Sequence, residues 1–148
     1  MPSTHTSLHY HLVWSTKDRR PVIAADWLHR LHAWMGGNVR MQGGVALCIG
    51  GVADHVHALV GLRATHCLAD VVRVLKGESS EWVHRDLGVA DFEWQEGYGA
   101  FTVSPNQIEN VRHYVEHQAE HHRTKTFQEE YVELLKLAGA DYDERYLW

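Results

Sequence analysis

The sequence predicts an α+β fold of the ferredoxin-like split βαβ type: an antiparallel sheet with helices on one face, plus C-terminal helices. Three observations predict it. Hydrophobic period switches between two and three-to-four in the order β-α-β-β-α-β, then stays helical to near the end. A Ser-Pro-x-Gln start and glycine stops punctuate the helical stretches. Finally, one strand divides its residues cleanly by parity: Val56, Ala58 and Val60 face one way, His55, His57 and Leu59 the other. The split βαβ pattern places the first and third strands at the centre of the sheet, and residues 1–148 read as one domain.

Residues 5–14 alternate loosely and are rich in strand formers, which predicts the first strand. Leu8, Tyr10 and Leu12 share one parity, and His9, His11 and Val13 the other. Ser15 to Pro21 is a basic loop. From about Asp26 to Met41, Trp27, Leu28, Leu31, Trp34 and Met35 recur at helical spacing, with Asp26 a candidate cap and Gly36-Gly37 a candidate interruption. Val45 to Ile49 is a short strand that turns at Gly50-Gly51, through a slightly extended hairpin loop, into the strand of His55 and His57. A second helix opens at Thr65 or His66 and runs to about His84. Tyr98 to Val103 predicts the fourth strand. Ser104-Pro105-Asn106-Gln107 then starts a helix expected to reach His121, with Ser as cap and Pro at the first helical position. A last helix spans about Phe127 to Leu137 and stops at Gly139. The tail from Asp141 to Trp148 carries two Tyr, a Leu and a Trp, so it is expected to dock on the body or on a second subunit.

Composition narrows the function classes. No stretch of eighteen apolar residues exists and Met1 to His5 lack an apolar leader, so a cytoplasmic protein without membrane contact is expected. Cys48 and Cys67 lack metal-ligand spacing and read as buried free thiols. The net charge of −5 weighs against a simple basic nucleic-acid binder. Its distribution softens that objection, because Lys17, Arg19 and Arg20 cluster early while much of the acid lies in the last thirty residues. Thirteen histidines add a reserve of positive charge below about pH 6.5.

Two imidazoles at i and i+2 on a strand project together and can share a metal ion. In a chain this rich in histidine, about half a His-hydrophobic-His triplet is expected by chance. The second match, His9-Tyr10-His11, reads as a polar strand face packing against the rest. Tyr114 and Gln118 lie four apart on the helix after Pro105 and so share a face. Gln118 offers a neutral oxygen ligand. Tyr114 offers a phenol that needs a base or a polarised electrophile before it can attack. A phosphodiester on a divalent cation meets that need. The bland alternatives are a half-buried aromatic for Tyr114 and a solvated amide for Gln118. The two imidazoles alone suit Zn²⁺, Mn²⁺ or Fe²⁺.

At this point the sequence resembles the single-tyrosine transposases of the IS200/IS605 insertion sequences, within the HUH (His-hydrophobic-His) endonucleases. The resemblance is carried by Val-Trp-Ser-Thr-Lys-Asp-Arg-Arg (Val13 to Arg20), Asp54-His55-Val56-His57, and Leu75-Lys76-Gly77-Glu78-Ser79-Ser80. It continues through Trp94 to Phe101, Tyr114-Val115-Glu116-His117-Gln118, His121-His122-Arg123 and Phe127 to Tyr131. It implies His55, His57 and Gln118 as ligands of Mg²⁺ or Mn²⁺ and Tyr114 as the nucleophile. It further implies a substrate of single-stranded DNA with hairpin ends, a 5′-phosphotyrosine intermediate in transposition, and a homodimer whose sites are completed in trans. Lys17, Arg19, Arg20, Arg73, Lys76, His122 and Arg123 are the candidate DNA contacts; an ordinary solvated surface predicts the same residues. The alternatives are a domesticated hairpin-processing nuclease, a non-catalytic DNA-binding module on the same fold, and a small hydrolase that uses water in place of Tyr114.

Overall fold

Two central strands, β1 (Leu8–Ser15) and β3 (His55–Leu62), pair antiparallel with His11 opposite Leu59 and Val13 opposite His57. β2 (Val45–Val52) flanks β3 and β4 (Gly99–Thr102) flanks β1, so the order is β2-β3-β1-β4. The first and third strands are central, as the split βαβ pattern requires. This computed structural model describes residues 3–148; Met1 and Pro2, part of the stretch read above as lacking an apolar leader, lie outside the described residues. No helix among the described residues is long and apolar enough to cross a membrane.

The parity of the strands decides where the core sits. Leu12, Trp14, Val56, Ala58 and Val60 are fully buried against α1 (Ala25–Met41) and α2 (Leu68–Leu87). Burying each of the Leu and Val side chains contributes roughly 1.5–3 kcal/mol, and the Ala58 methyl less. Trp34 of α1 stacks on Trp82 of α2 with ring centroids 5.8 Å apart. The opposite parity of the same strands carries His11, His55 and His57. That face is covered by α3 (Ile108–Glu116), α4 (Gln118–His121) and α5 (Phe127–Ala138). Val13, Phe127, Tyr131 and Leu135 form a smaller core there, and Tyr142 and Leu147 of the tail pack on it. Trp148 meets the rings of Phe127 and Tyr131 at 6.2 and 6.0 Å, so the tail docks on the chain's own body.

Several local expectations are corrected. Gly36-Gly37 does not interrupt α1, whose cap is Ala24; Asp26 sits inside the first turn, where its charge still complements the helix dipole. β2 runs on through Gly50 and Gly51, and the hairpin closes in two residues, Ala53 and Asp54. Gly50 is there for packing: a Cβ would collide with the Val115 carbonyl of α3. α2 starts later, at Leu68, and stops at Gly88, which takes a left-handed φ of 71°. Ser104 caps a short 3₁₀ turn, Pro105–Gln107, rather than the α-helix itself. Its hydroxyl donates to Asn106 Oδ1. The helix expected to reach His121 breaks at His117 (φ −110°, ψ 32°), which separates α3 from α4. Both thiols are free as expected, but Cys67 is exposed and Cys48 only half-buried.

Candidate active site

β3 delivers His55 and His57 side by side, ring centroids 5.1 Å apart and both fully buried. The break at His117 then turns Gln118 inward. Its Nε2 donates to the Tyr114 carbonyl at 3.1 Å, which fixes the amide so that Oε1 points at His55 Nε2, 3.1 Å away. Gln118 is 1 % exposed, so the solvated-amide alternative does not hold. His122, at the end of α4, brings its Nε2 to 3.0 Å from the same Oε1.

The residue that sequence reasoning missed is Glu130. It lies in the first turn of α5, is 1 % exposed, and reaches His57 Nε2 through Oε1 at 2.9 Å. Its Oε2 accepts from the Tyr114 hydroxyl and lies 3.2 Å from the Nε2 atoms of His121 and His122. A signal was available: Glu130 sits at i+3 in the stripe Phe127, Tyr131, Leu135, an acid on an otherwise apolar buried face. Buried carboxylates require partners, and these donors supply them.

His55, His57, His122 and Glu130 bring four ligand atoms within 4.8 Å of one another. Proton bookkeeping tests whether a cation fits. His55 Nδ1–H donates to Asp54 Oδ1 at 2.7 Å, which leaves a lone pair on the Nε2 of a neutral ring. That lone pair faces two further acceptors, Gln118 Oε1 at 3.1 Å and Glu130 Oε1 at 3.6 Å. Acceptors aimed at one another repel unless positive charge stands between them, so the donor set fits a divalent ion.

Electrostatics follow burial. Burial lowers His57 to about 4, against the pull of the Glu130 hydrogen bond. Burial and the adjacent His57 lower His11 to about 3. Both rings are therefore neutral at pH 7. His11 was read as part of a polar strand face. It packs as that reading expects, specifically against the site, its Nε2 2.7 Å from His57 Nδ1. Burial would raise Glu130, but hydrogen bonds from His122, His57 and Tyr114 hold it well below the usual carboxylate range. Burial, then the hydrogen bond to Glu130 and its charge, push the Tyr114 phenol above its ordinary value. For His122, burial pulls downward, but the Glu130 hydrogen bond and charge outweigh it and the net direction is up.

The candidate DNA contacts scatter. His122 is part of the buried cluster. Lys17 pairs with Glu93 at 2.9 Å, Arg20 donates to the Asp91 carbonyl at 3.1 Å, and the Arg19 guanidinium lies 5.1 Å from the Trp148 ring centroid. Arg73 faces Asp70 at 3.6 Å from an exposed position. Lys76 is different: its three donors go to the carbonyls of Gln95, Glu96 and Gly97 at 2.6–3.0 Å, and burial lowers it to about 8. It holds the 95–97 loop. Arg123 lines an open cavity of about 670 Å³ whose walls include Asp54, His122, Lys125 and Thr126.

Comparison with known proteins agrees with this geometry. Residues 4–118 match the family model described as "Transposase IS200 like". A putative transposase from Deinococcus radiodurans R1 shares the fold at 25 % identity and a TM-score of 0.66, over 80 % of this chain and 95 % of that one. A REP-associated tyrosine transposase bound to a REP hairpin superposes with a TM-score of 0.53 at 13 % identity, over 78 % of this chain and 68 % of that one. No curated protein sequence matches. Paired strand histidines able to hold a metal, on this sheet order and within a family match spanning most of the residues, mean that the chain belongs to the IS200-like single-tyrosine transposases of the HUH group.

Proposed function

We propose that the protein is a metal-dependent endonuclease and strand transferase for hairpin-bearing single-stranded DNA, with Tyr114 as its nucleophile. The observation that carries this reading is the hydrogen bond from the Tyr114 hydroxyl to Glu130, inside the cluster that holds His55 and His57. Nucleophile and proton acceptor are already in contact, as activation of a phenol requires.

A divalent ion held by His55, His57 and Gln118, expected to be Mg²⁺ or Mn²⁺, supplies Lewis acidity at the scissile phosphate. The chain's own residues do the rest. Glu130 Oε2 takes the phenolic proton as the Tyr114 oxygen attacks phosphorus. The bond from phosphorus to the 3′-oxygen breaks, and that oxygen leaves as the 3′-hydroxyl, taking its proton from solvent. The 5′ end stays on Tyr114 as a phosphodiester of the same energy class, so a new 3′-hydroxyl can reverse the step without ATP. Burial of both histidines and Gln118 excludes competing water from the ligand atoms.

Phosphate neutralisation falls to Lys17, Arg19 and Arg20 beside β1, to Arg73 on α2 and to Arg123 at the cavity mouth. Homodimer formation, and exchange of the Tyr114 helix between subunits, rest on the resemblance. In the conformation described here Tyr114 meets Glu130 of its own chain. Mixing Tyr114→Phe with His55→Ala chains separates the two arrangements: restored cleavage means completion in trans, and none means cis.

The test of the nucleophile uses labelled single strands carrying a hairpin, incubated with protein and Mn²⁺ or Mg²⁺. A denaturant-resistant protein–DNA adduct is expected from the wild type and none from Tyr114→Phe. An adduct that survives Tyr114→Phe, or cleavage with no covalent species, overturns the assignment.

A further inference from the structure

We infer that His122 and Glu130 are themselves ligands, making this a site with three imidazoles, an amide oxygen and a carboxylate that selects a first-row transition ion over Mg²⁺. The inference rests on the metal-dependent reading above and deepens it. Neither residue belongs to the His, His, Gln set that resemblance supplies, and both lie beyond the segment matched by the family model, which ends at Gln118.

His122 is held in the same way as His55. His122 Nδ1–H donates to the Lys125 carbonyl at 2.7 Å, so Nε2 is the ring nitrogen available to an ion. That nitrogen lies 3.0 Å from Gln118 Oε1 and 3.2 Å from Glu130 Oε2. Two histidines, each pinned through Nδ1 by a separate acceptor, thus turn Nε2 toward the same amide oxygen and the same carboxylate. His57 Nε2 closes the set at 2.9 Å from Glu130 Oε1. Separations near 3 Å are those of donors each about 2.1 Å from one ion and set at about right angles to each other. Their convergence on one amide and one carboxylate gathers the donors of a coordination shell.

The donor types then decide the metal. Mg²⁺ prefers oxygen ligands and retains several waters. Three imidazoles favour the later divalent ions, and the Glu130 carboxylate adds the only negative charge in the set. Ligation by His122 and Glu130 would also tie α4 and α5 to the sheet, coupling ion binding to the docking of the C-terminal segment.

The experiment uses the full chain after chelation and dialysis. Calorimetry with Mn²⁺ and Mg²⁺ should show Mn²⁺ binding at least about tenfold tighter, and the preference should shrink in Glu130→Gln and His122→Gln. Circular dichroism verifies that both variants fold. In the Co²⁺-loaded wild type, which needs no variant, three paramagnetically shifted exchangeable imidazole N–H resonances are expected. Two resonances, equal affinity for the two ions, or unchanged affinity in folded Glu130→Gln overturns the inference. Adduct formation is scored separately. An adduct with only two ring resonances leaves the nuclease reading standing and this inference fallen, and three resonances without any adduct do the reverse.

Discussion

Sixteen positions apart, Tyr114 on α3 and Glu130 on α5 share a hydrogen bond in which the phenol donates to the carboxylate. Burial, and then the carboxylate's hydrogen bond and charge, raise the Tyr114 pKa, and the carboxylate is also the acceptor placed to take the proton. Replacing Glu130 by Gln removes the charge but keeps the shape. The Tyr114 pKa should fall toward the ordinary phenol value of about 10. Ultraviolet titration against the Tyr114→Phe background reads it directly; a pKa that stays put would show that burial alone sets it.

His11 should act through His57. With His57 Nε2 turned to an ion, its Nδ1 must carry the proton and donate to His11 Nε2. Loss of such an outer partner costs roughly ten- to a hundredfold in metal affinity. His11→Phe should show that loss in Mn²⁺ calorimetry, while His11→Gln, which keeps an acceptor, should retain part of the affinity. Equal affinities in all three proteins would remove His11 from the site.

Gly50 sets how closely α3 approaches β2. Because a Cβ there meets the Val115 backbone, Gly50→Ala should push the helix that carries Tyr114 away from the sheet. A destabilisation of about 1–3 kcal/mol is expected from overpacking. Thermal melting measures it, and adduct yield should fall further than the melting temperature accounts for.

Arg73 and Lys76 are three apart on α2 but should behave differently toward DNA. Arg73→Ala should reduce the slope of log affinity against log salt by about 0.9 for a hairpin duplex. Lys76→Met should leave that slope unchanged and instead loosen the 95–97 loop, read as faster amide exchange there. A lower slope for Lys76→Met would return it to the DNA surface.

Acid should destabilise the fold through the buried histidines. His57 and His11 have folded pKa values of about 4 and about 3, below the ordinary 6.5. Between those values and 6.5 the unfolded chain binds more protons, so stability rises with pH in that window and is lost on acidification. The slope is roughly 1.4 kcal/mol per pH unit per histidine. His122, shifted upward, contributes in the opposite sense and loses its share as pH rises above 6.5. Urea midpoints measured from pH 7 to pH 4 should fall steadily. A flat profile would mean that these rings are not buried neutral.

How much of this was legible beforehand varies by scale. The apolar parity of Val56, Ala58 and Val60 and the strand and helix order reported the fold, because burial imposes its period on neighbouring residues. The same parity put His55 and His57 together on the opposite face. Breaks and exact strand ends were less visible: Gly50-Gly51 read as a turn, but these glycines serve the approach of α3, a contact 65 residues away in the chain.

Sequence by itself determined the sheet, its central strands, the paired histidines and the positions of Tyr114 and Gln118. Tertiary structure alone decided that Glu130 and His122 join them, that His11 backs His57, and that Lys76 holds a loop. The reason is physical. Periodicity records which side of an element is buried, whereas His57 meets Glu130 across 73 positions and His11 across 46, and such partners are chosen only when the sheet and the helices of α3 to α5 close on each other.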